Sequence, residues 1–180
     1  NASNGMVVKG ILANATGVID PTAAVTDINL STQLSSSPQA TTAFEFTKNL
    51  DSATIVGGKV QRAISIYDSL GAAHQLTVTF TKVAVNEWDY EITANAPVAI
   101  TLGTETGTIA FDTDGNYDPG NSTISTLAAT VTGADNLAIL PDFDLMTQFA
   151  GETTAVPFTQ NGYPAGDMQS LSVDTSGTVT

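Results

Sequence analysis

The chain has 180 residues, 42% of them hydrophobic, which suffices for the core of one sizeable domain or two small ones. Its 18 acidic and 5 basic residues give a formal net charge of −13, which argues against nucleic-acid or membrane-surface partners, and no apolar run reaches the roughly 18 residues that span a bilayer. The absence of cysteine excludes disulfides and thiolate zinc sites and fits an exported or extracellular protein.

The first strands are predicted from short apolar patterns. Met6 to Leu12 is an apolar run, and Asp27 to Leu34 places apolar side chains on one parity. A third pattern begins after Thr41, where Phe44 and Phe46 alternate with polar residues. We expect a strand at each of these places.

The clearest pattern lies between Lys59 and Thr93. Asp68 to Gly71 supplies turn residues inside it. Period-two alternation of apolar and polar residues is typical of strands with one buried and one wet face, and it predicts an antiparallel three-stranded meander within a β-sandwich or barrel. The apolar members of the three strands are Val60, Ile64 and Ile66; Leu76, Val78 and Phe80; and Trp88, Tyr90 and Ile92.

Beyond the meander the patterns are weaker. Ile124 to Val131 is ambiguous between strand and helix, and Asp144 is placed as the N-cap of one helical turn that runs to Ala150. Further short strands are predicted at Pro97–Leu102, Thr108–Phe111 and Ser170–Val173.

Two predicted linkers divide the chain. One lies at Ser35–Gln39 and the other near Pro141, and the residues outside them are similar in character. The expected fold is mainly β, with two β-rich domains that are each an antiparallel sandwich or barrel. Residues 1–40 and 142–180 would form a discontinuous first domain, and residues 41–141 a second domain inserted into it.

One turn has the oxygen-rich composition of a calcium site. An EF-hand loop counted from Asp112 needs Gly at its sixth position and Glu at its twelfth, but Tyr117 and Thr123 stand there. The favoured interpretation is a polar hairpin turn, and a weak cation site is the alternative. The oxygen-bearing side chains around Gly115 are those of Asp112, Asp114, Asn116 and Asp118.

His74 is the single histidine of the chain and stands at the mouth of the apolar face of the meander. Without cysteine, a catalytic triad could use only Ser or Thr, and the sequence has no G-x-S-x-G elbow and no phosphate-binding loop. We expect a structural role for His74, and a hydrolase is the more remote alternative. No catalytic, cofactor-binding or metal-binding residue is predicted, and we expect no enzyme activity.

Trp88 and Tyr90 could form a sugar-stacking platform, as in a carbohydrate-binding or adhesive β-sandwich. They share the parity of Ile92, however, which favours a place in the core. The acidic residues of the opposite parity are interpreted as a solvated sheet edge that discourages strand addition, and not as a glycosidase pair: Glu87, Asp89 and Glu91.

Several segments together resemble the flagellar hook protein family, over nearly the whole chain. Asn1 to Gly10 is similar to the strand that leads into the family's first outer domain. The middle segments are more specific to the hook: Ala40-Thr41-Thr42, Asn49-Leu50-Asp51, Tyr67-Asp68-Ser69-Leu70-Gly71 and Phe111-Asp112-Thr113-Asp114-Gly115. The last segments are shared with rod and other axial proteins: Leu145 to Ala150, Gln160 to Gly166 and Leu171 to Asp174.

The resemblance implies a structural subunit of the bacterial flagellar hook, an extracellular tubular polymer that acts as a universal joint between motor and filament. It implies export without a cleaved signal peptide, and as partners other copies of the protein and the hook cap, distal rod and hook–filament junction proteins. It implies no cofactor. The terminal helices of that family have no counterpart here, so both ends are expected to be cuts through a longer protein and the fragment to be monomeric. Another axial protein, such as the distal rod, is the nearest alternative.

A hook that bends while it rotates must let the outer domains of neighbouring subunits slide against one another. Polar contacts bridged by water can re-pair at low cost, whereas large apolar interfaces would lock the polymer in one length. We therefore expect polar loops such as Asp112–Asn121 and Gly103–Gly107 to face neighbouring subunits.

Overall fold

The computed structural model describes residues 9–14, 16–28, 35–95, 100–103 and 105–167. These residues form strands and turns and no helix, which confirms the mainly β prediction. Their strands are β1 (Lys9–Gly10), β2 (Thr26–Asp27), β3 (Ser35–Ser36), β4 (Ala43–Asn49), β5 (Lys59–Tyr67), β6 (Ala73–Ala84), β7 (Glu87–Ala94), β8 (Ile100–Leu102), β9 (Glu105–Ala110), β10 (Leu127–Val131), β11 (Leu137–Thr147), β12 (Val156–Gln160) and β13 (Gly166–Asp167). The predicted strand Ser170–Val173, and parts of those predicted at Met6–Leu12, Asp27–Leu34 and Pro97–Leu102, lie outside the described residues.

Contacts between Cα atoms divide the chain into two units. Unit 1 is residues 1–36 together with 166–180, and unit 2 is residues 37–165. In unit 1, β1 pairs with β2 and β3 pairs with β13, both antiparallel. Lys9 Nζ lies 3.5 Å from Asp27 Oδ1 across the first pair, in an exposed ion pair of a kind that adds little stability.

The described residues of unit 2 form two sheets. The four-stranded sheet has the order β5-β6-β7-β9 and is antiparallel, and the five-stranded sheet has the order β12-β4-β11-β10-β8, with β4 and β11 parallel. Strands β5, β6 and β7 are the predicted meander, in which Phe80 pairs with Val60 on one side and Tyr90 on the other. The alternation in the sequence thus gives this sheet one buried face.

The core of unit 2 lies between the apolar faces of the two sheets. Phe46 of β4 and Phe143 of β11 meet Phe80 of β6 and Tyr90 of β7, with ring centroids 5.0 to 5.9 Å apart. All four rings are almost completely buried. Since burying one large apolar side chain stabilises by about 1.5–3 kcal/mol, this cluster is a main source of the stability of unit 2.

Two predictions about the later part of unit 2 are wrong. Asp144 caps no helix, because β11 continues through it and pairs with β4. Pro141 lies buried within the same strand and not in a linker. Proline has no N–H to donate to a neighbouring strand, but the pairing of β11 with β10 ends at Ile139, before Pro141. Proline is therefore tolerated at this position. The ambiguous segment Ile124–Val131 contains a strand, β10.

The strand registers show that the connecting segments of unit 2 lie at two opposite ends of its sheets. One end, termed the base, holds the incoming residues 37–42, the outgoing residues 160–165 and the β5–β6 turn at residues 68–72. The other, termed the far end, holds residues 50–58, 85–86, 111–121 and 148–155.

Candidate functional site

Asp112 builds the turn that follows β9 at the far end. Its Oδ1 accepts the N–H groups of Asp114 (2.9 Å) and Asn116 (2.8 Å). These hydrogen bonds, the one from the Asn116 backbone first among them, hold the pKa of Asp112 below its usual value. Gly115 in the same turn has φ of 83°, a conformation that favours glycine. The Asp112 carboxylate thus accepts hydrogen bonds from the backbone of its own turn.

The oxygen-bearing side chains of this region serve separate turns. Asp118 Oδ1 accepts the N–H of Gly120 at 2.9 Å, and its Oδ2 accepts Asn121 Nδ2 at 2.7 Å. In the described part of the chain, no three carboxylate or histidine side chains lie close enough together to hold a metal ion. The geometry favours the interpretation as polar turns.

Trp88 and Tyr90 lie in the core, with exposed fractions of 0% and 1%. Trp88 Nε1 donates to Gln148 Oε1 at 2.6 Å, and Gln148 Nε2 donates to Asn86 Oδ1 at 2.8 Å. Tyr90 Oη accepts the N–H of Ser125 at 2.9 Å. Because both rings are buried, neither can stack on a sugar without opening the fold, and their interpretation as core residues is correct.

Two basic side chains of unit 2 are turned inward. Lys82 is 5% exposed; its Nζ donates to the carbonyl oxygen of Ser52 at 2.5 Å and lies 5.5 Å from the centroid of the Trp88 ring. Arg62 Nε donates to the carbonyl oxygen of Ala155 at 2.6 Å. Both cations are thus held by neutral backbone carbonyls.

The acidic row on β7 is exposed, as predicted, but it does not mark a sheet edge. Strand β7 is paired with β6 on one side and β9 on the other, so its hydrogen-bonding groups are already used. Asp89 and Glu91 border an open groove of about 420 Å³ with Thr106 and Thr108 of β9, and Thr108 Oγ1 donates to Asp89 Oδ1 at 3.2 Å. Glu87 stands on the same exposed face.

His74 holds the β5–β6 turn at the base. Its Nε2 lies 2.8 Å from Asp68 Oδ2, while Asp68 Oδ1 accepts the N–H groups of Leu70 and Ala72, both at 2.9 Å. Burial by itself raises the pKa of Asp68, but the hydrogen bonds from His74 and the two amides outweigh it, and the pKa lies below its usual value. These contacts favour the structural role that the sequence suggests for His74.

Thr41 joins the incoming and outgoing segments at the base. It is fully buried; its N–H donates to the carbonyl of Tyr67, and its Oγ1 accepts the N–H of Tyr67, both at 2.9 Å. The same hydroxyl donates to Gln160 Oε1 at 2.8 Å, which also accepts the N–H of Gly162 at 2.7 Å. A Cβ on Gly162 would lie 2.8 Å from Thr41 N, so glycine permits this close approach.

Asn161 makes a second connection between the same segments. Its Oδ1 accepts the N–H groups of Thr42 (2.9 Å) and Ala43 (3.1 Å), and its Nδ2 donates to Thr42 Oγ1 at 2.7 Å. Beside it, Gln39 and Tyr163 exchange two backbone hydrogen bonds, of 2.9 and 3.0 Å. The whole network is termed the base clasp, and its members are Gln39, Thr41, Thr42, Gln160, Asn161 and Tyr163.

Asn49 and Asp51 join distant segments at the far end, as the base clasp does at the base. Asn49 Nδ2 donates to the carbonyls of Phe149 (3.1 Å) and Glu152 (3.2 Å), and its Oδ1 accepts the N–H of Phe149 at 2.6 Å. Asp51 Oδ1 accepts the N–H of Gly151 at 3.2 Å. Between them, buried Leu50 anchors the segment in the core, so this motif holds residues 148–155 in place.

No pattern in the sequence indicates the base clasp as a unit. Thr41 and Gln160 are 119 residues apart, and neither belongs to an alternating apolar pattern. The available signal was that two of the segments resembling hook proteins, Ala40-Thr41-Thr42 and Gln160 to Gly166, are polar and flank strands. The acceptor Gln148 of buried Trp88 also went unrecognised.

Comparisons with known proteins agree with this architecture. The family described as "Flagellar basal body protein FlaE D2 domain" matches residues 29–163, which include almost all of unit 2. The flagellar hook protein FlgE of Salmonella typhimurium strain LT2 is 33% identical over 118 residues, which are 64% of this chain. FlgE of Escherichia coli K12 is 29% identical over 118 residues, 65% of this chain. The chain spans 29% of the length of these curated relatives.

The described residues contain no helix long and apolar enough to cross a membrane. The likeness to the hook proteins confirms the resemblance noted in the sequence. Since the family match extends over well more than half of the sequence, the chain belongs to the FlaE D2 domain family of flagellar basal body proteins.

Proposed function

We propose that this chain is the outer part of a structural subunit of the bacterial flagellar hook and that it catalyses no reaction. The observation that carries the proposal is the FlaE D2 family match over residues 29–163, a segment that contains the strands of the two sheets of unit 2. In this proposal unit 2 is the second outer domain of the subunit, and unit 1 belongs to the first outer domain into which it is inserted.

The surface of unit 2 supports a joint in which neighbours slide. The exposed face of the four-stranded sheet is made mostly of hydroxyl, amide and carboxylate side chains, with Lys59 and Ala63 on β5, and contacts between such polar faces are readily bridged by water. Water-bridged contacts can exchange partners with little loss of free energy, so copies can move past each other as the polymer bends. Polar residues of that face include Lys59, Gln61, Ser65, Gln75, Thr77, Thr81, Glu87, Asp89, Glu91, Thr93, Thr106 and Thr108.

The partners of the complete subunit are other copies of itself in a helical tube, with the hook cap, the distal rod and the hook–filament junction proteins at its ends. The subunit acts outside the cell as a universal joint that transmits torque to the filament, and it leaves the cell through the flagellar secretion system without a cleaved signal peptide. The loop Asp112–Asn121 and the segment Gly103–Gly107, whose last three residues belong to β9 and not to a loop, face neighbouring subunits in this arrangement. The curated relatives named hook proteins support these assignments.

Immunogold labelling tests this proposal. Antibodies raised against residues 37–165 are applied to intact cells of the organism that encodes the chain and to purified hook–basal bodies. We expect gold only on the curved segment between the cell surface and the filament. Label on the rod would establish the alternative axial protein, and label on the cell surface away from flagella would favour an adhesin; either result would overturn the proposal.

A further inference from the structure

We propose that the base clasp is the local opening point of unit 2, and that the side chain of Asn161 determines how readily it opens. The incoming and outgoing segments would separate at the base while the core between the two sheets stays closed. This inference concerns the chain by itself and does not depend on assembly into a hook.

The outermost bonds of the base clasp are the most exposed. Gln39 and Tyr163 both have solvent-exposed side chains and are joined by two backbone hydrogen bonds, and Gln39 Nε2 also donates to the carbonyl of Asn161 at 3.2 Å. Pro38 and Pro164 lie immediately outside this pair, at a position that is not hydrogen-bonded in an antiparallel ladder, and the next paired residues outward are Ser36 and Gly166. The Gln39–Tyr163 pair is therefore an isolated, exposed backbone pair, and exposed backbone hydrogen bonds of this kind open readily.

Asn161 supplies most of the side-chain hydrogen bonds that join the two segments of the clasp. Its side chain makes three hydrogen bonds to the incoming segment, two from the amides of Thr42 and Ala43 and one to Thr42 Oγ1. Separation of the two segments would break these bonds together with the Gln39–Tyr163 pair and the bond from buried Thr41 to Gln160. Each such bond adds modestly to stability, and the three together let the Asn161 side chain change the population of the open state by about tenfold.

The β5–β6 turn closes the base from a third side. A Cβ on Gly71 would lie 2.8 Å from Pro38 Cβ and 3.1 Å from Pro164 Cα, so the turn packs against both segments. Asp68 and His74 hold that turn in shape. Because the turn belongs to the central meander, it stays folded when the two segments separate, and opening is limited to the base.

Amide hydrogen exchange on the full 180-residue chain tests this inference. The reporting amides are those of Gln39, Thr41 and Tyr163, whose hydrogen bonds do not involve the Asn161 side chain. We expect Asn161→Ala to speed their exchange by about tenfold, in line with the loss of one to three net hydrogen bonds. The amide of Val78, in the middle of β6, should keep its rate within about threefold, since local opening leaves the core closed.

Two further variants keep the test decisive. Asn161→Asp retains the oxygen that accepts the two amides and should stay within about threefold of the wild type at all three reporters, even if Asn161→Ala folds poorly. Asn121→Ala is the matched control, because Asn121 makes its side-chain bond to Asp118 at the far end, and it should leave the reporters unchanged.

A disulfide provides the reverse experiment. The native chain has no cysteine, and Gln39 and Tyr163 are a hydrogen-bonded antiparallel pair, whose Cα separation of about 5.5 Å suits a disulfide. We expect oxidised Gln39→Cys/Tyr163→Cys to cancel the effect of Asn161→Ala on Thr41. Unchanged reporter amides in Asn161→Ala would overturn the proposal, and so would an equal acceleration at Val78 or an effect at Thr41 that persists with the disulfide closed.

Discussion

Tyr90 and Gly107 lie directly opposite each other on β7 and β9, and a Cβ on residue 107 would come within 2.5 Å of Tyr90 Cε1. The ring extends over the glycine so that its hydroxyl accepts the N–H of Ser125. The missing side chain therefore lets an aromatic residue of the core reach the loop that follows β9. The Gly103–Gly107 segment, which the sequence marks only as a polar loop, thus has a packing role at its last residue.

Gly107→Ala should destabilise the chain by about 1–3 kcal/mol, because the added methyl group overlaps the Tyr90 ring and the carbonyl of Thr123. Urea unfolding followed by circular dichroism measures the change. Gly120→Ala is the matched control: its Cβ would lie 3.3 Å from Asp118 Oδ1, the end of a movable side chain, and we expect a change within about 0.5 kcal/mol. Equal losses in both variants would contradict the packing argument.

Gln148→Met should cost about 1–3 kcal/mol, because it leaves the indole N–H of buried Trp88 without its acceptor. Trp88 is the single tryptophan, so its fluorescence reports on the same site in the native state and during unfolding. Gln61→Met is the control, since Gln61 is exposed and should change stability by less than about 0.5 kcal/mol. A Gln148→Met variant as stable as the wild type would show that the indole finds another acceptor.

Asp68 should make the chain sensitive to acid. Its folded-state pKa lies below the unfolded value, so its interactions stabilise the fold fully above the unfolded pKa of about 3.9. That stabilisation is lost as the pH falls through the folded-state pKa. Asp68→Asn cannot ionise, so the difference in Tm between wild type and Asp68→Asn should be largest near neutral pH and should shrink below about pH 4.

Thermal melts between about pH 7 and about pH 2 check this window. Asp114→Asn, in the exposed turn after β9, serves as the control for removing one carboxylate elsewhere in unit 2. A difference between wild type and Asp68→Asn that stays constant through acid pH would contradict the part assigned to the Asp68–His74 contact.

Salt should stabilise the chain. The formal net charge is −13, and two of the five basic side chains, Arg62 and Lys82, are bound to backbone carbonyls. Repulsion among the carboxylates opposes the compact folded state. Salt screens this repulsion, because the Debye length falls from about 30 Å at 0.01 M to about 8 Å at 0.15 M ionic strength. We expect Tm to rise over this range of NaCl. A flat or falling Tm would mean that surface repulsion is not a significant cost.

The strands that could be predicted from the sequence are those in which the alternation of apolar and polar residues matches the alternation of buried and exposed side chains. The apolar residues of β5, β6 and β7 alternate, and each strand pairs with its neighbour in sequence, so the meander was readable. The prediction of a helical turn at Asp144 was wrong because Leu145 and Met146 are compatible with either structure, and pairing with β4, about a hundred residues earlier, decides the outcome.

The candidate sites show the same limit. The contact of His74 with Asp68 favours the structural role expected from its position, whereas the sequence identifies Asp68 only as a turn residue. Asn161 and Thr42 make contact across 119 residues, and polar side chains that bond to distant backbone leave no periodic signal in the sequence. The carboxylates of β7 were placed correctly on the exposed face, whereas the identity of their neighbour β9 depends on the topology of the whole sheet.

The account as a whole is tested most directly by replacing the segment of the Salmonella typhimurium hook protein that matches this chain with the corresponding residues of unit 2. Export of the chimera into the medium, detected with an antibody, controls for folding and secretion. We expect electron microscopy to show curved hooks and the cells to swim in soft agar. An exported, soluble chimera that never forms hooks, while a control with the Escherichia coli segment does, would contradict the assignment of this chain as an outer module of the hook.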